Sequence, residues 1–265
     1  MTGIRLDQLL VEQGMAESRE KAKALIMSGA VFLDDHRADK PGMTVPVNSR
    51  PELRGSTLKY VSRGGLKLEE ALNVFPVDPK GKVCIDCGAS TGGFTDVLLQ
   101  NGAKRVYAVD VGYGQLAWKL RQDPRVINLE RINIRYLTEK QVPELLDMAV
   151  MDVSFISIRL LLPVIKNFLK PDADFICLIK PQFEAGRELV GKKGVVRDPA
   201  VHEAVIKSCI SAAREFGYSV LGLDYSPIRG PEGNIEFLCY LKNASLPITE
   251  PDSAAVVEAA HRVCI

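Results

Sequence analysis

Apolar residues near the start of the chain recur with the spacing of short helices. Leu6, Leu9 and Leu10 follow the i, i+3, i+4 pattern of one helix, and Ser18 is a suitable N-cap for a second. A glycine ends each helical pattern, and the apolar run Val31–Leu33 then indicates a strand. The pattern therefore predicts a small N-terminal domain of mixed α and β structure.

Beyond residue 67, short apolar runs alternate with helical patterns such as Ile158–Leu169 and Val201–Phe216. The runs with the length and composition of strands are Val83–Cys87, Val106–Val109, Val126–Leu129, Met148–Val153, Phe175–Ile179, Val220–Leu223 and Ile235–Leu241. Seven strands alternating with helices predict an α/β domain with a doubly wound, mostly parallel sheet. Ligands of such sheets bind beyond the carboxyl ends of the strands, so functional residues are expected there.

A turn-rich stretch separates these two regions. Residues 51–66 contain one proline, three glycines and two serines, which is typical of a connection between domains. We expect this linker to end near residue 59, and an amphipathic helical pattern follows from Lys67. The predicted division is a small domain at residues 1–59 and a larger one at residues 60–265.

Charge and hydropathy narrow the choice of partners. The 265-residue chain has a formal net charge of +1, whereas residues 1–67 carry 11 Lys and Arg against 8 Asp and Glu. This local excess is compatible with a polyanionic partner. No apolar run approaches the ~20 residues that span a bilayer, and the first residues lack the pattern of a secretory signal. We therefore expect a cytoplasmic protein with no membrane partner.

The cysteines allow one alternative to be weighed. Six cysteines, at positions 84, 87, 177, 209, 239 and 264, lie mostly inside apolar runs. Cys84 and Cys87 form a CxxC pair, which raises the possibility of a metal or redox site. A zinc site needs a further pair of ligands at suitable spacing, and the sequence contains none. We expect core residues of a strand, with no metal and no disulfide framework.

A glycine-rich turn follows the first strand of the larger domain. It reads Asp86-Cys87-Gly88-Ala89-Ser90-Thr91-Gly92-Gly93-Phe94-Thr95. Glycines and small residues let a ligand approach the backbone closely, and the start of the next helix offers unpaired N–H groups. The second strand ends at Asp110, 22 residues after Gly88, the distance at which an acidic side chain can accept both ribose hydroxyls of an adenosine.

Three chemistries compete for this turn. A dinucleotide fingerprint needs G-x-G-x-x-G, and the glycines are spaced differently, so NAD is disfavoured. Gly88-x-Ser90-x-Gly92 matches the nucleophile elbow of a hydrolase, but the histidines that follow, His202 and His261, lie in a helix body and near the C-terminus. The third candidate is a site for S-adenosylmethionine.

Four charged residues mark the ligand side of the predicted sheet. Asp152 ends the fourth strand, Lys180 ends the fifth, Glu236 begins the last, and Lys67 opens the larger domain. All four can face one cleft. If a methyl group were transferred to a hydroxyl, which is a poor nucleophile at neutral pH, the reaction would need alignment and a base, for which Lys180 is the candidate. Burial and a second cation lower the pKa of a lysine, whereas neighbouring carboxylates raise it. The direction of the pKa shift of either lysine therefore stays open.

The N-terminal region resembles a known RNA-binding module. The order Arg5-Leu6-Asp7-x-Leu9-Leu10, Ser18-Arg19-Glu20-x-Ala22-x-x-Leu25-Ile26-x-x-Gly29-x-Val31 and Lys40-Pro41-Gly42 is similar to the alpha-L module of a ribosomal small-subunit protein, pseudouridine synthases and tyrosyl-tRNA synthetases. The resemblance covers residues 4 to about 50. It implies docking of structured RNA through basic side chains that are free for solvent or phosphate: Arg5, Arg19, Lys21 and Lys23. A helical module that binds protein is the alternative.

The larger domain resembles the Rossmann-like methyltransferases, and its four charged residues resemble the Lys-Asp-Lys-Glu tetrad of FtsJ-type ribose 2′-O-methyltransferases. With the phrase Val61-Ser62-Arg63-Gly64-Gly65-Leu66-Lys67-Leu68, the whole chain is identified as a member of the TlyA family, often labelled haemolysin-like. The resemblance implies methylation of a cytidine ribose in ribosomal RNA, free or within a ribosomal subunit, and adds Arg63 to the RNA-binding residues.

The same resemblance implies roles for individual residues. The residues implied to bind S-adenosylmethionine are Asp86, Gly88, Ala89, Ser90, Gly92, Gly93, Phe94, Asp110, Asn133 and Ile134. Within this set the turn surrounds the methionine part, Asp110 holds the ribose, and Asn133 and Ile134 meet the adenine. Two alternatives from other classes stay open: a membrane-lytic protein, which the family's historical label suggests, and a ribosome-assembly factor that binds RNA without catalysis.

Overall fold

The computed structural model of this chain describes residues 3–27, 29–34, 36–38, 40–53, 59–247 and 250–263. The chain divides into two compact units, Met1–Arg63 and Gly64–Ile265. Residues 54–58 of the predicted linker and Cys264 lie outside the described residues.

The described part of the first unit contains two helices and five short strands. In chain order they are β1 (Gly3–Arg5), α1 (Leu6–Glu12), α2 (Arg19–Met27), β2 (Val31–Leu33), β3 (His36–Arg37), β4 (Thr44–Pro46) and β5 (Glu52–Leu53). Both predicted helices and the predicted strand are present, and Ser18 Oγ accepts a hydrogen bond from the Lys21 N–H at 3.2 Å. Leu6, Leu10 and Ile26 are completely buried between these elements.

One part of the predicted linker is folded instead. Strand β5 pairs antiparallel with β2, which also pairs with β3, while β1 pairs with β4. The linker prediction was wrong for Glu52 and Leu53, which form β5. Both side chains are exposed. A two-residue edge strand without a buried face leaves no hydrophobic pattern in the sequence.

The described part of the second unit contains a seven-stranded sheet and seven helices. The strands are β6 (Val83–Cys87), β7 (Arg105–Asp110), β8 (Val126–Glu130), β9 (Leu146–Met151), β10 (Leu169–Ile179), β11 (Ser219–Tyr225) and β12 (Phe237–Lys242). The helices are α3 (Gly65–Val74), α4 (Gly93–Gln100), α5 (Trp118–Arg121), α6 (Leu162–Lys166), α7 (Pro181–Glu184), α8 (Pro199–Glu215) and α9 (Ser253–Val263). Each of the seven predicted strands is present, with ends shifted by a few residues.

The strand order in this sheet is β11-β12-β10-β9-β6-β7-β8. Strand β12 runs antiparallel to both neighbours, and the remaining pairs are parallel. This confirms the mostly parallel sheet. Because β12 is reversed, its first residue, Phe237, lies opposite Ile179, the last residue of β10. The start of β12 therefore reaches the edge of the sheet where the parallel strands end.

The predicted helix at Ile158–Leu169 is wrong in its extent. Ile158–Leu160 forms a single 3-10 turn, α6 follows, and Leu169 already belongs to β10. Pro163 explains the interruption, because proline lacks a backbone N–H and fits only the first turn of a helix. The predicted helix at Val201–Phe216 is confirmed as α8.

Candidate active site

The glycine-rich turn leads from the end of β6 into helix α4. Gly88 has a φ of +87° and Gly92 a φ of +96°, left-handed values that favour glycine. A Cβ added to Gly88 would lie 2.7 Å from the carbonyl oxygen of Asp152, so this position has no room for a side chain. Ser90 also has a positive φ, of +48°, which is uncommon for a residue with a side chain. The turn thus holds the backbone of the β6 end against that of the β9 end.

Asp86, the acidic residue of the motif, is completely buried beneath this turn. Its Oδ2 accepts hydrogen bonds from the Thr95 N–H at 2.9 Å and the Thr95 hydroxyl at 2.7 Å, which anchors the first turn of α4. Burial raises the pKa of Asp86 to about 7, although the Thr95 hydrogen bonds oppose this effect. Asp86 therefore supports the turn from inside the domain.

Asp110 stands at the end of β7, as the sequence indicates. Its Oδ2 accepts a hydrogen bond from the Ser90 N–H at 2.7 Å, and its Oδ1 accepts one from the Gly112 N–H at 2.7 Å. Each carboxylate oxygen has a second lone pair that can accept a hydrogen bond from a hydroxyl group. The turn itself therefore orients Asp110 to receive a diol such as a ribose.

A cavity of about 780 Å³ opens beside Asp110. The predicted cofactor residues that line it are Gly88, Ser90, Asp110, Asn133 and Ile134. The other predicted residues do not line it: Asp86 lies in β6, Ala89 and Gly92 in the turn, and Gly93 and Phe94 at the start of α4. A volume of this size suits a small-molecule ligand, and a mixed apolar and polar lining with the oriented carboxylate of Asp110 fits an adenosine-containing molecule such as S-adenosylmethionine.

Asp152 lines the same cavity and also belongs to a cluster of four charges. Lys67 Nζ donates a hydrogen bond to Asp152 Oδ2 at 3.2 Å and another to Glu236 Oε2 at 2.6 Å. Lys180 Nζ lies 2.5 Å from Asp152 Oδ1. The structure therefore brings all four predicted catalytic residues together, with lysines and carboxylates alternating.

Burial makes these charges strongly interdependent. Lys67, Lys180 and Glu236 are 6%, 7% and 1% exposed. Burial by itself lowers the pKa of Lys67, but the adjacent carboxylates of Asp152 and Glu236 outweigh it, so the pKa is raised. Burial likewise opposes ionisation of Asp152, and the two lysines outweigh it and lower its pKa. Lys67 is thus held as a cation between two carboxylates. For this lysine the pKa shift, whose direction the sequence left open, is upward.

Several residues at this site are not among the predicted ones. Lys180 Nζ donates a hydrogen bond to Ser154 Oγ at 3.1 Å, and Gln182 Nε2 lies 3.4 Å from Glu236 Oε1. Each stands two positions beyond a predicted catalytic residue, so the rule that strand ends carry function was sufficient to find them. Phe155 lines the cavity with a φ of +64° and is 91% exposed. No local sequence signal marks that backbone conformation.

The hydrolase alternative finds no support in the hydrogen bonding. Ser90 Oγ donates to Gln115 Oε1 at 3.3 Å. The ring of His202 contacts His261 Nε2 at 2.9 Å and the Val196 carbonyl at 3.2 Å. The pair of serine and histidine that an elbow hydrolase requires is therefore not formed.

The CxxC pair lies inside the core. Cys84 and Cys87 are completely buried in β6, and burial raises the pKa of the Cys84 thiol to about 12. A protonated thiol is a poor metal ligand. Within the part of the chain that the structure describes, no group of three or more His, Cys, Asp or Glu side chains is placed to hold a metal ion.

The predicted RNA-binding residues lie in the first unit, and one expectation about them was wrong. Arg5 donates two hydrogen bonds to the buried carboxylate of Asp7, at 3.0 and 2.9 Å, and Arg19 donates a third at 3.2 Å. Lys21 pairs with Glu17. These three side chains are therefore not free. Arg5 and Arg19 compensate the charge of Asp7, which is buried in the first helix, whereas Lys21 forms an exposed pair.

Exposure still leaves these side chains accessible. The Arg5 and Arg19 side chains are 47% and 50% exposed, and Lys23 is exposed on α2. Arg63, the last residue of the first unit, is half-buried. Asp7 thus holds two half-exposed guanidinium groups in fixed positions, an arrangement that suits contacts to phosphate.

The parallel sheet with a reversed last strand, the glycine turn and the oriented acidic residue define an S-adenosylmethionine-dependent methyltransferase of the Rossmann-like class. Residues 60–243 match the model of the FtsJ-like methyltransferases, and residues 4–50 match that of the S4 domain. The chain belongs to the FtsJ-like methyltransferase family and carries an S4 domain at its N-terminus.

Named relatives extend this result over nearly the whole chain. The chain is 55% identical to YqxC of Bacillus subtilis (strain 168), a candidate rRNA methyltransferase, across 97% of this chain and 94% of that protein. It is 44% identical to the 16S/23S rRNA (cytidine-2′-O)-methyltransferase TlyA of Mycobacterium tuberculosis (strain CDC 1551 / Oshkosh), across 90% and 89% of the two chains. The resemblance to the TlyA family is confirmed.

A solved structure from Streptococcus thermophilus, labelled a hemolysin, is also similar. It is 47% identical, with a TM-score of 0.78, and the match covers 99% of this chain and 97% of that one. Among the helices of the described residues, none combines the length and the apolar composition needed to cross a bilayer.

Proposed function

We propose that this protein transfers a methyl group from S-adenosylmethionine to the 2′-hydroxyl of a cytidine ribose in ribosomal RNA. The observation that carries the proposal is that Asp152 belongs both to the cofactor-sized cavity and to the cluster of Lys67, Lys180 and Glu236. The activity named for the mycobacterial relative supplies the nucleotide and the RNA class. Since ribosomal RNA is the substrate, the protein acts in the cytoplasm.

The chemistry requires alignment and removal of one proton. S-adenosylmethionine, when bound, supplies a methyl group already activated by a sulfonium. Lys180 Nζ, when deprotonated, accepts the proton of the 2′-hydroxyl while the methyl group passes from the sulfonium sulfur to the ribose oxygen. Ser154 and Asp152 orient that amine. Lys67 cannot take this role because two carboxylates hold it as a cation, and as a cation it stabilises the developing negative charge on the ribose oxygen.

The S4 domain supplies substrate affinity in this proposal. Arg5 and Arg19, held by Asp7, together with Lys21, Lys23 and Arg63, contact phosphates of folded RNA. Contacts of this kind fix position and register but discriminate little between sequences. The substrate is therefore selected by shape, and assembled ribosomal subunits and free ribosomal RNA are both to be tried.

A methyl-transfer assay with purified protein, labelled cofactor and either ribosomal subunits or free ribosomal RNA tests this function. Lys180→Met is expected to abolish transfer while cofactor affinity, measured by calorimetry, stays within about twofold, because Lys180 acts on the acceptor only. Lys207→Met is the control, since Lys207 is an exposed lysine of α8 that pairs with Glu203.

Full activity of Lys180→Met would remove this lysine from the mechanism. Failure of the unmodified protein to methylate any of these RNAs would contradict the function itself. Lysis of liposomes by the same preparation would support the membrane-lytic alternative instead.

A further inference from the structure

A second cavity, of about 390 Å³, adjoins the segment that carries Glu236. Its lining includes Arg197, Arg229, His261 and Ile235, and Ile235 immediately precedes Glu236 in the chain. The first three come from separate places in the fold: the segment before α8, the turn before β12, and α9. The cavity therefore joins distant parts of the sequence beside a catalytic residue.

The arginines of this cavity differ from most others in the second unit. Arg105, Arg121, Arg125, Arg159, Arg214 and Arg262 each pair with a carboxylate. Arg197 has no ion-pair or hydrogen-bond partner among the described residues, and Arg229 donates only to the Gly233 carbonyl, at 3.1 Å. Both are exposed, so most of their N–H donors are available to an oxyanion.

Buried hydrogen bonds fix the walls of this cavity. The side chain of Asn234, 1% exposed, accepts from the Val196 N–H at 3.0 Å and donates to the Gly194 carbonyl at 2.9 Å. The segment that ends at Arg197 is therefore tied directly to the turn that precedes Glu236. Arg197 and Arg229 therefore lie on two segments that are connected by hydrogen bonds, and not on two independent loops.

Hydrogen bonds of His202 and His261 connect the segment before α8 to α9. A carbonyl can only accept a hydrogen bond, so His202 donates to Val196 through Nε2 and its Nδ1 accepts from His261 Nε2. This assignment leaves Nδ1 of His261 as the ring nitrogen not used by the pair. His261 thus lines the cavity with its ring orientation fixed by His202.

The charges of the lining select the ligand. Glu232 also lines the cavity, so the two guanidinium groups exceed the single carboxylate by one positive charge. A phosphodiester carries one negative charge and presents two oxygens to the planar donors of arginine. We infer that this cavity binds a backbone phosphate of the RNA substrate close to the acceptor nucleotide. The inference rests on the proposed function and adds to it a contact outside the S4 domain.

The test compares Arg197→Gln/Arg229→Gln in the full chain with Arg262→Gln. Arg262 is the matched control, because it is an exposed arginine next to His261 that pairs with Glu258 and does not line the cavity. Methylation kinetics on ribosomal RNA are measured from low to moderate salt, together with cofactor affinity. The double variant is expected to raise KM for RNA by about tenfold or more and to reduce the slope of log KM against log salt by about 1, the change for one lost phosphate contact, with kcat retained.

The outcomes of this experiment distinguish a phosphate site from a purely structural role of the cavity. Unchanged KM and salt slope in the double variant would overturn the phosphate site while leaving the proposed function intact. Loss of cofactor affinity, or a fall in kcat with the salt slope unchanged, would also overturn it, because the cavity would then be purely structural. The variant Arg197→Lys/Arg229→Lys guards against misfolding: its charge should keep the salt slope near that of the unmodified protein. Absence of methylation by the unmodified protein would contradict the proposed function and this inference together.

Discussion

Gly88 and Asp152 are in direct backbone contact: the Asp152 carbonyl oxygen lies 2.7 Å from the position that a Gly88 Cβ would occupy. The Asp152 N–H also donates to the Cys87 carbonyl at 3.0 Å. The carboxylate of the same Asp152 contacts Lys67 and Lys180. The glycine-rich turn and the charged cluster are therefore joined through one residue, so we expect a change in the turn to displace the charged groups.

This contact predicts the effect of Gly88→Ala. The added methyl group combines an unfavourable positive φ with a clash against backbone, which cannot move as a flexible side chain can. We expect a loss of about 2–4 kcal/mol of stability and a cofactor affinity reduced by tenfold or more. Chemical denaturation and calorimetry measure the two effects.

Gly81→Ala is the matched control for this variant. Gly81 has a φ of +73° and nothing within 4 Å of its added Cβ, so it reports the cost of the φ angle alone. We expect about 1 kcal/mol there, with cofactor affinity unchanged. Equal losses in the two variants would show that the Asp152 contact is unimportant.

The position of Lys67 predicts a stability defect separate from catalysis. Lys67→Met leaves Glu236, 1% exposed, as a buried carboxylate without its cation, which typically costs about 3–5 kcal/mol. Adding Glu236→Gln should recover much of that loss in urea denaturation while methyl transfer stays absent. Lys207→Met, which breaks an exposed pair, should cost about 0.5 kcal/mol or less. A Lys67→Met protein as stable as the unmodified one would contradict the assigned charge balance.

Asp7 predicts an acid-dependent loss in the S4 domain. Hydrogen bonds from Arg5, opposed by burial and assisted by Arg19, hold the pKa of Asp7 at about 2. A lowered carboxyl pKa contributes stability above the unfolded value near 3.8, and this contribution is lost as pH falls through about 2. Asp7→Asn should therefore cost about 1–2 kcal/mol at neutral pH, allowing for the half-exposed arginines, and the deficit should shrink between about pH 4 and 2.

Hydrogen exchange of α1 amides in the full chain measures this local stability. Glu17→Gln, which removes an exposed pair with Lys21, is the control and should show little change. A deficit for Asp7→Asn that stays constant with pH would mean that the carboxylate charge plays no part.

The burial of His202 predicts that the stability of the protein depends on pH. Burial, assisted by His261, lowers the pKa of His202 to about 4. Between about pH 6.5 and 4 the unfolded chain then binds a proton that the folded protein does not, so stability falls as pH decreases, by about 2–3 kcal/mol across that window. Removing the titrating ring should remove that part of the pH dependence.

Urea denaturation at several pH values compares His202→Gln with His36→Gln. His36 is exposed, so its replacement should leave the pH profile unchanged, whereas His202→Gln should flatten it. Parallel profiles for His202→Gln and the unmodified protein would contradict this assignment.

Much of the site was predictable because strand ends are visible in the sequence. Asp110, Asp152 and Lys180 end or directly follow buried apolar runs, and parallel strands deliver such positions to one edge. The helix predicted at Ile158–Leu169 is too long, because the apolar periodicity continues across Pro163 whereas a continuous helix cannot. The pairing of Arg5 and Arg19 with Asp7 was missed because a charged residue on a short helix carries no signal of its own burial.

The sequence by itself determined the main elements of the larger domain: its seven strands, the glycine-rich turn after the first of them, and the identity of the charged residues. Only the tertiary structure decided which charges meet. Lys67 and Glu236 are 169 positions apart in the sequence, and Lys67 Nζ lies 2.6 Å from Glu236 Oε2. They meet because β12 enters the sheet reversed, between β10 and β11. Local periodicity reports which face of an element is buried, whereas strand order and direction depend on contacts between distant segments, and these set the geometry of the site.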